Sequence, residues 1–134
     1  MLYVFYGEDT YRSRKKVRDI TDRFYAVAGG RESALTLPLS ECSRQEVEQA
    51  VTTGSLFRNK RLLVLEEPSK AAADVMAYME KQLPRFAKSD DVFLIWDSAA
   101  SHREAGILAA VAAHAAKAQE FKRLTLSSAA QFLE

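Results

Sequence analysis

The segment from Gly7 to Arg14 follows a short apolar run and precedes a helix rich in arginine and lysine, as phosphate-binding loops do. A working loop has the pattern G-x-x-x-x-G-K-[ST]. Its glycines let backbone amides surround the phosphates, its lysine reaches the outer phosphates, and its hydroxyl binds magnesium. Here only Gly7 matches, because Arg12 replaces the second glycine, Ser13 the lysine and Arg14 the hydroxyl residue. The segment is therefore predicted to be a degenerate phosphate loop, which keeps the turn and lacks the binding groups.

Two further features argue against nucleotide hydrolysis. Glu8 and Asp9 place two carboxylates where phosphate would lie, and like charges disfavour binding. A hydrolytic protein of this kind also needs an apolar strand that ends in Asp-Glu, for magnesium and for activation of water. The run Val92 to Trp96 is followed by Asp97 but then by Ser98. We expect no catalytic site and no cofactor, and a P-loop nucleotide-binding enzyme stays only as an alternative.

The carboxylates that follow predicted strands allow a second alternative, a magnesium-dependent phospho-acceptor pocket of the receiver type. Such a pocket needs an aspartate at the end of the third strand, where Glu66 stands. It also needs a lysine just past the fifth strand, whereas Lys122 falls inside the predicted one. A metal site is not indicated, because His102 and His114 lie twelve residues apart without a partner at ligand spacing. The carboxylates concerned are Glu8, Asp9, Glu66, Glu67 and Asp97.

An apolar pair, Leu56 and Phe57, interrupts an otherwise polar loop. The loop lies between a predicted helix that ends near Val51 and a predicted strand that begins at Leu62. Large apolar side chains in such a loop either fold back onto the core or are presented to a partner as an anchor. Periodicity alone favours the core interpretation and leaves the other open.

Five positive charges occur within seven residues near the N-terminus. At helical spacing they spread over most of the surface outside an apolar stripe. A solvated helix face is therefore favoured over a dedicated nucleic-acid patch, although the sequence does not decide between them. The residues are Arg12, Arg14, Lys15, Lys16 and Arg18.

Five apolar runs typical of strands alternate with helical patterns along the chain. Two of them, LLVL and VFLIW, are continuously apolar, which is typical of strands covered on both faces. The pattern predicts an α/β fold with a five-stranded parallel sheet and helices on both faces. The predicted strands are Leu2 to Tyr6, Ala34 to Leu39, Leu62 to Leu65, Val92 to Trp96 and Glu120 to Leu124.

The predicted helices have signals of their own. One helix is expected from about Ser69 to Leu83, closed by Pro84, and another, rich in alanine, from about His102 to Lys117. A fifth begins near Ser127. The first helix carries an inward stripe at a spacing of three and four residues, formed by Val17, Ile20, Phe24 and Val27.

The bulk composition limits the function classes. The 134 residues include 48% hydrophobic and 28% charged side chains, which is typical of one globular domain, here residues 1–134. The formal net charge of +1 favours neither a nucleic-acid nor a membrane partner. No apolar run reaches the roughly 18 to 20 residues that span a bilayer. Because a single cysteine, Cys42, suits a reducing compartment, the expected location is the cytoplasm.

Three segments together resemble the N-terminal domain of the delta subunit of the bacterial DNA polymerase III clamp loader. They are YGEDTYRSR, TGSLFRNKRLLVL and VFLIWDSAASHREAGILAAVAAHAAKAQEFKRL. The resemblance covers nearly the whole chain and depends on the order and spacing of these segments. It implies a P-loop NTPase fold of the AAA+ type that does not bind ATP. It also implies a role in DNA replication without a catalytic site, as part of the DNA polymerase III holoenzyme.

In that family the domain grips the ring-shaped beta sliding clamp and opens it. The resemblance implies that Leu56 and Phe57, with Ser55, form the clamp-binding site, which reverses the interpretation that periodicity favours. Gly54 stands where some relatives have a larger apolar residue, so a lower affinity is expected. The helical lid and collar domains that follow in the family are expected to be absent here. Through those domains the delta subunit joins the other clamp-loader subunits, and contact with DNA is expected to be indirect.

Overall fold

Five strands form one parallel sheet in a computed structural model that describes residues 1–28, 34–53, 60–100 and 105–123. The strands are β1 (Leu2–Tyr6), β2 (Ala34–Pro38), β3 (Leu62–Glu66), β4 (Val92–Asp97) and β5 (Lys117–Glu120). The helices are α1 (Thr10–Ala28), α2 (Arg44–Thr53), α3 (Ala73–Lys88) and α4 (Gly106–His114). Short 3₁₀ turns span Leu39–Glu41 and Pro68–Lys70. The predicted α/β fold, a five-stranded parallel sheet with helices on both faces, is confirmed for the described residues, while the predicted fifth helix lies outside them.

The strand order is β2-β3-β4-β1-β5, and every neighbouring pair is parallel. The adjacent interior strands β3 and β4 are buried along most of their length, as their continuously apolar sequences predict. Because β4 lies between β1 and β3, the ends of these three strands meet at the carboxyl edge of the sheet. Residues Gly7, Glu67 and Ser98 immediately follow them.

Two separate cores lie on the two faces of the sheet. On one face, α2, α3 and α4 cover alternate side chains of the strands, including Val4, Leu63 and Ile95. On the other face, the half-buried stripe of α1 packs against Phe5, Val64 and Leu94, among others. Successive strand residues point to opposite faces, and this explains why both sets are apolar.

The inward stripe of α1 is shorter than predicted. Val17, Ile20 and Phe24 pack against the sheet, but Val27 is 91% exposed. The stripe prediction was therefore wrong at Val27. Periodicity continues along the helix for as long as the sequence does, whereas burial ends where the strands beneath the helix end.

The predicted limits of α3 were also wrong, because the helix begins at Ala73 and continues through Pro84 to Lys88. A proline inside a helix has no N–H to donate to the carbonyl four residues earlier. The turn beyond it contributes Phe86, which is 1% exposed and stacks on Phe93 at 4.0 Å between ring centroids. Burial of this aromatic side chain offsets the lost hydrogen bond.

The predicted position of the fifth strand was wrong, because the strand lies earlier in the sequence. The fourth helix ends at His114 rather than Lys117, and β5 runs over Lys117–Glu120 rather than from Glu120 to Leu124. Pairing with β1 sets this register, because Ala116 N donates to Leu2 O and Phe121 N donates to Tyr6 O at the two ends of the ladder. An edge strand with exposed side chains has no continuous apolar run to reveal it.

Among the described residues, no helix is both long enough and apolar enough to cross a membrane.

Candidate functional site

The turn after β1 is closed by the chain's own backbone. Gly7 has a φ of 129°, and a Cβ added there would lie 2.3 Å from the carbonyl oxygen of Phe121. Phe121 N donates to Tyr6 O at 2.7 Å, and Asp9 N donates to Phe121 O at 3.0 Å. The first glycine of the degenerate loop is therefore required by the close approach of the segment that leaves β5.

Asp9 caps the first helix. Its Oδ1 accepts a hydrogen bond from Arg12 N at 3.0 Å, and its Oδ2 lies 3.7 Å from the Arg12 guanidinium. An aspartate at this position satisfies a free amide and complements the positive end of the helix. The Arg12 guanidinium also lies 5.5 Å from the centre of the Phe121 ring. Both residues are therefore engaged in local structure.

Ser13, at the position of the phosphate-binding lysine, is completely buried. Its Oγ accepts a hydrogen bond from Trp96 Nε1 at 2.8 Å and donates to Thr10 O at 3.3 Å. The hydroxyl thus satisfies the indole of a buried tryptophan, which needs a partner for its N–H. This contact joins α1 to the end of β4.

Arg14, at the position of the magnesium-binding hydroxyl, covers the same tryptophan. Its guanidinium lies 3.9 Å from the centre of the Trp96 ring, and its Nη1 lies 3.4 Å from Oε2 of Glu66. In a working site a hydroxyl here and a carboxylate on a neighbouring strand would hold a magnesium ion between them. Here Arg14 and Glu66 contact each other directly, and the guanidinium supplies the positive charge that a magnesium ion would supply in a working site.

The role of β3 at this edge was missed from the sequence. The magnesium strand was sought at β4, but β3 is also an apolar strand, and it ends in the carboxylates Glu66 and Glu67. The sequence LLVLEE contained the signal. Because the order of strands in the sheet is not written in the sequence, nothing indicated which strand end would face Arg14.

Two carboxylates link the carboxyl ends of β3 and β4, because each accepts hydrogen bonds from the segment that follows the other strand. Asp97, completely buried, accepts from Ser69 N at 2.9 Å, Ser69 Oγ at 2.8 Å and Ala99 N at 2.8 Å. Glu67 accepts from Ser98 Oγ at 3.0 Å. These bonds hold the turn after β3 against the turn after β4. Glu67 has a φ of 58°, in the left-handed region that is unusual for a residue other than glycine.

One of the sequence arguments against a receiver-type pocket was wrong, and the structure provides others. Lys122 lies just past β5 and not inside it, so that part of the sequence argument was wrong. Its side chain is 82% exposed and its Nζ lies 3.8 Å from Glu120. Within residues 1–28, 34–53, 60–100 and 105–123, no group of three or more acidic, histidine or cysteine side chains could hold a metal ion.

The end of β1 contributes no additional charge to this edge. Burial raises the pKa of Tyr6, and the Glu120 carboxylate raises it further. The phenol therefore stays neutral at physiological pH. Tyr6 is 6% exposed, so its ring belongs to the core of the sheet.

The clamp-binding residues expected from the resemblance, Ser55, Leu56 and Phe57, lie outside the described residues, as does Gly54. The structure does define both ends of their loop, because α2 ends at Thr53 and β3 begins at Leu62.

Arg61 joins the two ends of this loop. Its guanidinium donates to Ala50 O at 2.9 Å and to Val51 O at 3.1 Å, which are carbonyls in the last turn of α2. Arg61 N also donates to Asp91 Oδ1 at 3.0 Å, and the two side chains form an ion pair at 3.4 Å. A cation at a helix C-terminus satisfies free carbonyls and complements the helix dipole. The loop therefore starts and ends on a fixed support.

The basic run divides into two groups. Arg12 and Arg14 are engaged with Asp9, Glu66 and the two aromatic rings described above. Lys15 and Arg18 are exposed and Lys16 is half-buried, and none of these three forms an ion pair with a carboxylate in the described part of the chain.

Comparison with known proteins was made for both sequence and structure. The sequence model of the family "DNA polymerase III, delta subunit" matches residues 3–122. No curated protein matches the sequence significantly. Among solved structures, the Bacillus subtilis DNA clamp loader delta protein is similar in fold, with a TM-score of 0.65 and 17% sequence identity. The similarity covers 98% of this chain and 41% of that protein, so the chain spans less than half of its length.

A second similar structure is titled a closed-state reconstruction of Hsp104 with ATPγS and casein. It has a TM-score of 0.48 and 14% identity, over 98% of this chain and 30% of that one. The family match covers most of the chain, and it agrees with the fold of the Bacillus subtilis protein. The chain belongs to the delta subunit family of DNA polymerase III.

Proposed function

We propose that this domain binds the beta sliding clamp through Leu56 and Phe57, assisted by Ser55, and favours the open form of the ring. The observation that carries the proposal is an apolar pair in a polar loop whose two ends Arg61 ties together. Large apolar side chains on a fixed support are the usual anchors of a protein interface. The expected lower affinity from Gly54 remains part of this proposal.

The support matters because a binding loop loses conformational entropy when it is ordered by a partner. Arg61 makes two hydrogen bonds to the end of α2 and an ion pair with Asp91, so both loop ends are ordered before binding. Ordered loop ends leave more of the anchor's contact energy available for affinity. The same support would transmit force from the clamp to the sheet.

Opening of the clamp needs no chemistry. A subunit that binds the distorted clamp surface better than the closed one shifts the ring towards opening by the ratio of the two affinities. In the assembled loader, ATP bound by other subunits would control when this surface is exposed. Contacts with those subunits would involve parts of the protein beyond this domain.

The decisive experiment measures binding of the chain to its cognate sliding clamp by calorimetry or surface plasmon resonance. The double variant Leu56→Ala, Phe57→Ala should bind at least about 30-fold more weakly, because two anchor residues are lost. The matched control is Tyr11→Ala, Val27→Ala, which removes two large exposed side chains from α1. Equal affinity of the wild type and the loop variant, with both folded, would overturn the proposal.

Opening is tested separately with a clamp variant whose ring interface is weakened. The chain should bind this variant more tightly than the closed ring, since no energy is then needed to break the interface. Equal affinity for both forms would leave a clamp-binding domain that does not open the ring.

We also propose that the domain binds no ATP and has no catalytic site. Support comes from the contacts of Ser13 and Arg14, which stand at the positions of the phosphate- and magnesium-binding side chains. The carboxylate of Asp9, which caps α1, adds negative charge in the same loop. The assay is an ATP titration followed by the fluorescence of Trp96, the single tryptophan, which contacts two of these residues. Saturable binding at micromolar ATP would support the alternative of a P-loop nucleotide-binding enzyme.

The receiver-type alternative has its own test. Incubation with a small phosphodonor should leave the chain unmodified, because the buried Asp97 is committed to Ser69 and Ala99. Phosphate on an aspartate or glutamate, detected by mass spectrometry, would revive this alternative.

A further inference from the structure

One face of α1 carries an exposed aromatic ring and two exposed cations. Tyr11, Lys15 and Arg18 are spaced four and three residues apart, which places them within an arc of about 60° on a helix. Tyr11 is 73% exposed, and Lys15 and Arg18 are exposed as well. These three residues are called the basic face of α1.

The basic face points away from the protein. The opposite side of α1 carries Val17, Ile20 and Phe24, which pack against the sheet. Asp19 and Asp22 follow one helical turn after Lys15 and Arg18, a spacing that allows ion pairs. Neither pair forms, and no other described carboxylate pairs with Lys15 or Arg18.

The helix dipole does not account for these cations. Its effect is confined to about the first turn of α1, and Lys15 and Arg18 both lie beyond that turn. Arg12 and Arg14 have intramolecular partners that account for them. Lys15 and Arg18 have none among the described residues, so the described part of the fold gives no reason for these two cations.

We propose that the basic face of α1 binds single-stranded DNA. Lys15 and Arg18 would contact backbone phosphates, and Tyr11 would stack on an unpaired base. Cations beside an exposed aromatic ring form the usual surface for single strands, because phosphate charge and base stacking are both satisfied. This surface lies on α1 and is separate from the proposed clamp-binding loop after α2, so it goes beyond the proposed function.

The test is fluorescence anisotropy of a labelled oligothymidylate at 50 to 200 mM salt. The variant Lys15→Gln, Arg18→Gln should bind at least tenfold more weakly, and its dependence of log affinity on log salt should be shallower by about 1.4. The control Lys81→Gln, Arg85→Gln removes the same charges from exposed positions on α3, and it should bind as the wild type does. Equal losses in both variants, or no wild-type binding at 50 mM salt, would overturn the proposal.

The stacking role has a separate readout. Tyr11→Ala should weaken binding to a single strand several-fold, while Tyr11→Phe should retain it, because the phenylalanine ring stacks equally well. Binding to duplex DNA should be insensitive to both changes. A duplex preferred over the single strand would refute the assignment to single-stranded DNA.

These outcomes are independent of the clamp experiment. The Lys15→Gln, Arg18→Gln variant should keep the wild-type affinity for the sliding clamp. Conversely, Leu56→Ala, Phe57→Ala should keep the wild-type affinity for DNA. Loss of clamp binding in the first variant, with DNA binding unchanged, would instead identify the basic face as a protein contact and overturn the inference.

Discussion

Replacement of Gly7 by alanine tests whether this glycine serves the fold or a ligand. The turn at Gly7 has a φ of 129°, which side chains of L-residues rarely permit, and the new Cβ would meet the carbonyl oxygen of Phe121 at 2.3 Å. The clash is with backbone that is hydrogen-bonded on both sides of the turn, so it cannot be relieved by a change of rotamer.

The expected loss of stability has two parts. Backbone strain at such a φ costs roughly 1 to 3 kcal/mol. Displacement of the segment at Phe121 costs about another 1 to 3 kcal/mol, as overpacking does elsewhere. The sum, about 2 to 6 kcal/mol, is a large share of the roughly 5 to 15 kcal/mol that stabilises a domain. We expect the midpoint of thermal unfolding to fall by on the order of 10 to 20 °C.

The measurement is urea and thermal unfolding followed by circular dichroism, with Gly106→Ala as the matched control. At Gly106, the first residue of α4, an added Cβ meets nothing within 4 Å. Alanine should stabilise the protein there by about 0.4 to 1 kcal/mol, because it has less entropy to lose on folding. If Gly7→Ala were as stable as the wild type, the close approach of Phe121 would not be the reason for this glycine.

Three further predictions concern single side chains. Arg14→Met should reduce stability by about 1 kcal/mol in urea unfolding and change the emission of Trp96, since the cation no longer covers the indole; unchanged emission would contradict the stacked geometry. Asp97→Asn should cost about 1 to 3 kcal/mol because an amide N–H would face a donor in the buried site, whereas the exposed Asp22→Asn should be neutral. Burial, and then two neighbouring glutamates, raise the pKa of the Cys42 thiol. Its reaction with a disulfide reagent should therefore be slower than in the urea-unfolded chain, with the pH–rate curve displaced to higher pH; superimposable curves would refute this.

The sequence located four of the five strands, β1 to β4, to within one residue. Three of these, β1, β3 and β4, lie inside the sheet, where strands covered on both faces must be largely apolar. The fifth strand was misplaced because an edge strand takes its register from its neighbour, here from Tyr3 pairing with Lys117. The end of α3 was misplaced because a local rule about Pro84 was overridden by the burial of Phe86.

The sequence alone determined that the segment after β1 lacks the groups of a working phosphate-binding loop, since residue types at fixed spacing can be compared directly with a pattern. It also identified an apolar pair in a polar loop, whose binding role stays a prediction. Only the tertiary structure decided which residues contact the side chains of this segment. Arg14 reaches Trp96 and Glu66 because β4 lies between β1 and β3. Gly7 is needed because the backbone of Phe121 lies where a Cβ would be. These contacts join residues more than fifty positions apart, and pairing between strands, which no local pattern records, brings them together.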